Sequence, residues 1–177
     1  MLSKICRVIC NAVRLIGKPC YGRLLRVSAD TRVEVSRKSR LSVGRNFLTR
    51  RNVEILVRDK AALEIGDNVY INSGTIVTVR EKVIIGDGAL IGPGVVIFDN
   101  DHAIVDGRVC DNKFVTAPVI IGKNVWIGAG AMIFKGAVLE DNCVVAAGSV
   151  VKGHVKSGTI FVQKRPSSVI EIDSQNS

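Results

Sequence analysis

One periodicity constrains this chain more than any other property: a large aliphatic residue recurs at every sixth position. Ile121, Ile127, Ile133, Leu139, Val145 and Val151 keep the beat, and two earlier blocks repeat it, Ile85, Ile91, Ile97 and Ile65, Ile71, Val77. Six is a multiple of the strand period of two and not of the helical 3.6, so each hexad reads as a short strand plus a turn. Four residues after most of these positions stands a small or β-branched residue: Val69, Thr75, Ala89, Val95, Val125, Ala131, Ala137, Cys143 and Ser149. Such sizes fit the inside of a tight corner. Glycine often follows the aliphatic residue, and Asp67-Asn68 and Lys123-Asn124 supply turn chemistry, because Asn and Asp tolerate left-handed backbone. Three hexads close a triangular coil of 18 residues, and stacked coils bury one apolar column. Ile121 and Leu139 are 18 apart, Ile85 and Ile121 twice that, and Ile65 and Ile85 are 20 apart, which places a two-residue insertion near Arg80 to Lys82. The expected fold is an all-β parallel β-helix.

The chain has 177 residues, enough for one domain with a proper core, and 47% of them are hydrophobic despite a formal net charge of +9. Its five cysteines are odd in number and form no CxxC pair, which points to a reducing cytoplasm. Cys143 falls in the inner small-residue series and is expected to be a core filler; Cys110 is placed in a loop.

Residues 1–30 form a basic amphipathic segment. Leu2, Ile5, Ile9, Ala12, Val13 and Ile16 recur at helical spacing with Lys4, Arg7, Arg14 and Lys18 mostly opposite, and Gly17 and Pro19 end the pattern. The apolar runs are too short for a membrane span, and no small-residue cleavage site follows. Two readings stand, a cap over the open end of the coils and a helix lying on an anionic membrane surface. Nucleic acid is not expected, since the basic residues lack interleaved aromatics or a binding motif. Coils are expected over 31–157, an irregular first coil over about Val33 to Val57 with Arg37, Lys38, Arg40, Arg45, Arg50 and Arg51 on its outer face, and a C-terminal strand and tail over 158–177.

Between Ile97 and Val119 the beat stops. Loop 98–118 occupies the place of one missing coil and holds Asp99, Asp101, His102, Asp106 and Arg108. An excursion from a rigid repeat scaffold is where function tends to sit. His102 is one of only two histidines, and imidazole is the side chain best suited to take a proton near neutral pH. With His154 as the other, a three-histidine zinc site is out of reach, and no metal is expected.

The repeats, the loop opening with a histidine, and the return through Ile121-Gly-Lys-Asn-Val-Trp126-Ile-Gly128 resemble the hexapeptide-repeat acyltransferases. The resemblance covers about residues 60–170 and is to the branch of galactoside, maltose and nodulation-factor O-acetyltransferases and related polysaccharide enzymes. It implies a left-handed parallel β-helix, a homotrimer with active sites between subunits, and acetyl-CoA as co-substrate. It implies His102 as the general base and Asn72, 30 residues earlier, as a substrate-positioning asparagine. Trp126 would lie beside the thioester, and Gly128, Ala129, Ala147 and Gly148 along the pantetheine arm. Where the family carries Thr-Lys after the last coil this chain has Lys152-Gly153, and Lys164 and Arg165 precede the C-terminal proline; these are the residues expected at the coenzyme, the latter two at its phosphates. Arg80 replaces an aspartate of the sugar enzymes, which argues against a simple galactoside acceptor and allows an acidic or nucleotide-linked one. Asp101, Asp99 or a backbone carbonyl is expected to hold the second imidazole nitrogen. The expected activity is O-acetylation of a sugar, nucleotide-sugar or glycan in surface polysaccharide assembly, in the cytoplasm or at the inner membrane face. N-acetylation of an amino sugar and a non-catalytic binding scaffold are the competing readings.

Overall fold

The structure, a computed structural model, describes residues 25–164 and 166. The N-terminal helical segment and Arg165 therefore lie outside the described residues, apart from residues 25–30. Each hexad forms one strand of two to four residues, and successive strands join three different six-stranded parallel sheets in strict rotation. In sheet I, Val33, Ile55, Val77, Ile97, Ile133 and Val151 stand in register. In sheet II the column is Val43, Ile65, Ile85, Ile121, Leu139 and Val155. In sheet III it is Thr49, Ile71, Ile91, Ile127, Val145 and Phe161. About five coils result, forming the left-handed β-helix that the resemblance implied, with no helix among the described residues.

The core follows from the beat. Every one of the twelve hexad aliphatics is at most 4% exposed, and the second series from Val69 to Ser149 is buried at the corners. Burial of a side chain of this size contributes roughly 1.5–3 kcal/mol, and the columns repeat it in every coil. The turns behave as their residues demand: Asn46, Asn68, Asn124 and Asn142 all take left-handed φ between 53° and 59°. The hexad Val77 reaches Ile85 over two extra residues at Arg80-Glu81, where the sequence arithmetic put the insertion.

The interruption differs from expectation in two ways. It does not stand in for a coil: Val83 pairs with Val119 and Ile97 with Ile133, so the coils before and after it stack directly. Nor is it an irregular loop. Asn100–Val105 and Arg108–Thr116 form an antiparallel hairpin turned by Asp106 and Gly107, both at positive φ, so Cys110 lies in a strand. The hairpin leaves where sheet I hands over to sheet II. In a three-sided coil that edge lies opposite the face of sheet III.

Candidate active site

The root of the hairpin is built on a buried carboxylate. Asp99 is fully buried, and its oxygens accept the backbone N–H of Arg80 at 2.8 and 3.1 Å, that of Glu81 at 2.7 Å and the side-chain amide of Asn100 at 3.1 Å. A carboxylate taken out of water needs such donors. Asp99 thereby ties the two-residue insertion of one coil to the excursion from the next, and its own carbonyl accepts from Ala117 N–H where the hairpin returns.

His102 is exposed on the first hairpin strand, directly across from Phe114, with the ring centroids 4.6 Å apart and tilted by 43°. A register shift follows it, between His102 and Ile104, which re-aims the strand. Its Nδ1 lies 2.8 Å from the carbonyl oxygen of Cys110. A carbonyl only accepts, so Nδ1 carries the proton in the neutral ring and Nε2 keeps a lone pair. Of the three partners left open by the sequence, the backbone carbonyl holds the imidazole. Asp99 serves the corner instead, and Asp101 pairs with Lys135 at 3.5 Å. The Arg80 guanidinium also lies against Phe114, 3.3 Å from the ring centroid. Phe114, Lys135 and the Cys110 carbonyl are the parts of this site that the repeat pattern does not mark: two follow no hexad, and a main-chain carbonyl has no residue signature.

The remaining expected residues divide by edge. Lys152 leaves sheet I on the hairpin side, its Nζ 5.4 Å from the Phe134 ring, and so stands apart from Ala147 and Gly148 in the same chain. Asn72, Gly128, Ala129, Ala147 and Gly148 all lie where sheet III hands over to sheet I, one above another through amide ladders such as Gly148 N–H to Ala129 O at 2.8 Å. Asn72 accepts the Ser73 N–H at 2.8 Å. Gly128 is forced by stacking, since a Cβ there would meet Ala147 N at 2.5 Å; Gly148 is forced by its φ of +68° and faces open space. Ala129 and Ala147 are exposed, and their N–H groups take no acceptor among the described residues. Trp126 stands on the outer face of sheet III, 55% exposed, between Leu90 and Val144 of the neighbouring coils. Lys164 follows the last strand of sheet III and is exposed.

The expected site residues thus fall into two separate groups in one chain. His102, Asp101, Arg80 and Lys152 occupy the edge between sheets I and II, and Asn72, Trp126 and the small-residue ladder occupy sheet III and its edge with sheet I. Among the described residues, no group of three or more metal-ligating side chains occurs. Cys110 and Cys143 are unpaired thiols, and burial pushes that of Cys143 up, away from the reactive thiolate.

A family model for the hexapeptide repeat of succinyl-transferase matches residues 118–152. Galactoside O-acetyltransferase of Escherichia coli is 35% identical over 89 residues, covering 50% of this chain and 44% of that protein. WbbJ of Escherichia coli, whose name assigns it provisionally to lipopolysaccharide O-acetylation, is 25% identical over 164 residues, covering 88% and 77%. A mutant of AntD, an N-acyltransferase from Bacillus cereus solved in complex with dTDP and coenzyme A, superposes with a TM-score of 0.71 over 86% of this chain and 83% of its own, at 21% identity. The chain spans 44% of the length of the first curated relatives it matches.

Proposed function

From its similarity to hexapeptide-repeat transferases, we propose that this chain is an acetyl-CoA-dependent O-acetyltransferase acting on a sugar hydroxyl, with His102 as general base. The observation that carries the reading is the imidazole itself, exposed on an ordered excursion and held at Nδ1 by the Cys110 carbonyl. Its Nε2 takes the hydroxyl proton as the oxygen forms its bond to the acetyl carbon; the bond to sulfur then breaks, and the imidazolium returns the proton to the departing sulfur so that coenzyme A leaves as its thiol. The Cys110 carbonyl stabilises the imidazolium that results.

The small-residue ladder fits a pantetheine arm. Exposed, unpaired amides at Ala129 and Ala147 offer donors to its amides, and the Ala129 N–H is our candidate for the developing oxyanion. Trp126 offers an exposed aromatic face beside them. The half-sites lie on different edges of one coil stack, so the reading includes a homotrimer in which the hairpin edge of one copy faces the ladder of the next. Lys152 and Lys164 are the cations we assign to the coenzyme.

Surface polysaccharide is the acceptor context we favour, supported by the alignment to WbbJ across most of both chains. We place the enzyme at the cytoplasmic face of a membrane on the exposed cations Arg37, Lys38, Arg40 and Arg50 of the first coil.

Turnover of acetyl-CoA with a panel of free and nucleotide-linked sugars tests the proposal. General-base catalysis is typically worth about 10²–10⁴ in rate, so His102→Ala should lose that factor with its thermal melt unchanged. Near-full activity in this variant sinks the assignment. A His102 dependence that vanishes at high pH identifies an amine acceptor instead, and failure to bind acetyl-CoA by calorimetry identifies a scaffold.

A further inference from the structure

The edge that carries His102 is strongly cationic at the hairpin root, and one of its cations has no carboxylate of its own among the described residues. Arg80 leaves sheet I at the two-residue insertion with its backbone held by Asp99. One face of its guanidinium lies on Phe114, whose ring also stacks against His102. The base and the guanidinium therefore both contact a single aromatic ring.

The charges around Arg80 leave it unneutralised. Asp99 is near, yet its oxygens are committed to two backbone amides and to Asn100. Arg58 stands one coil away on the same edge, close enough to repel Arg80, and its own partner is Glu34 at 3.3 Å, which also pairs with Arg32. Lys135 answers Asp101. Glu81 forms no ion pair among the described residues, and Lys152 adds a further positive charge beside Phe134. Both Arg58 and Arg80 have a buried Nε without an acceptor among the described residues. Burial, first, and Arg58, second, push the Arg80 pKa down, so the folded chain holds a guanidinium in an environment that disfavours its charge. A planar fork of N–H donors in such a place matches a carboxylate or phosphate bidentately.

We propose that Arg80, supported by Arg58, is an anion subsite for the acceptor, so that the substrate class is a sugar bearing a carboxylate or phosphate close to the hydroxyl presented to His102. The Phe114 ring sets the separation between the anchored anion and the base. This rests on the acyl-transfer reading for the identity of the ligand, while the anion site stands on its own geometry.

The test is calorimetric titration of the full chain with glucose, glucuronate, glucose 1-phosphate and inorganic phosphate, without acetyl-CoA. At least one anionic probe should bind about tenfold or more tighter than glucose, and the carboxylate and phosphate arms tell which anion is preferred. Arg80→Gln should abolish that preference, and Arg80→Lys, which keeps the charge and loses the fork, should weaken it several-fold. Arg37→Gln, an exposed cation of the first coil, should leave it intact. Should the Gln variant fail to fold, the Lys variant decides alone. Anionic probes binding no better than glucose, or a preference that survives loss of the Arg80 fork, overturns the proposal. Failure of acetyl transfer with anion binding intact would strike the activity and spare the subsite.

Discussion

At the scale of single residues, position in the coil decides what a side chain is free to do. Asp99 is the clearest case. Replacing it with Asn keeps the shape but turns an acceptor-only group into one that presents two donors to the Arg80 and Glu81 amides. Leaving buried donors poorly paired costs about 1–3 kcal/mol, so Asp99→Asn should lower the melting temperature by several degrees and loosen the hairpin, read by amide exchange over 100–116. Cysteine reactivity separates in the same way. Cys110, half-buried, should be alkylated at neutral pH while Cys143, fully buried with its thiol pushed up by desolvation, resists until the chain unfolds. His102 was legible as a candidate because it stands at the root of the long break in the beat. Its partner was not, because choosing among Asp99, Asp101 and a carbonyl depends on hairpin register, and the answer lies in the main chain of Cys110.

At the scale of elements, the strands were readable almost residue by residue, since a hexad column and a corner column leave little freedom. The excursion was not. Eighteen inserted residues fit a lost coil and an extruded hairpin equally well by arithmetic; only the pairing of Val83 with Val119 separates them. The final coil shows a second element held by charge. Glu140 accepts the Ser157 N–H at 2.8 Å and pairs with His154 at 2.7 Å, and these contacts, the amide first, hold its carboxyl below the usual range. A depressed carboxylate contributes stability above its unfolded-state pKa and loses it as pH falls through the folded value. Amide protection over 154–161, the observed exchange rate taken relative to the intrinsic rate at each pH, should therefore fall as pH drops through and below the carboxylate range, and Glu140→Gln should remove that dependence. Protection that is flat with pH in the native chain would discount the pair as a clasp.

At the scale of the whole molecule, rotation through three sheets places functional residues by edge, whatever their separation in sequence. Asn72 and His102 are 30 positions apart and Trp126 and Lys152 only 26, yet each pair is split between different edges or faces of the stack. The linear motif hides this, because a hexad shift moves a residue by one face of three. The division makes the assembly testable through chains that are each defective in one half. His102→Ala removes the base on one edge, and Trp126→Ala removes an exposed aromatic from sheet III without opening the core. The decisive measurement is the acetyl-transfer rate of these two variants, assayed singly and after unfolding and refolding together at equal concentration. Each alone should be inactive, and random mixing should restore about a quarter of the wild-type sites, as expected when neighbouring copies share each site. A mixture no more active than its parents, or a fully active Trp126→Ala chain, would contradict it.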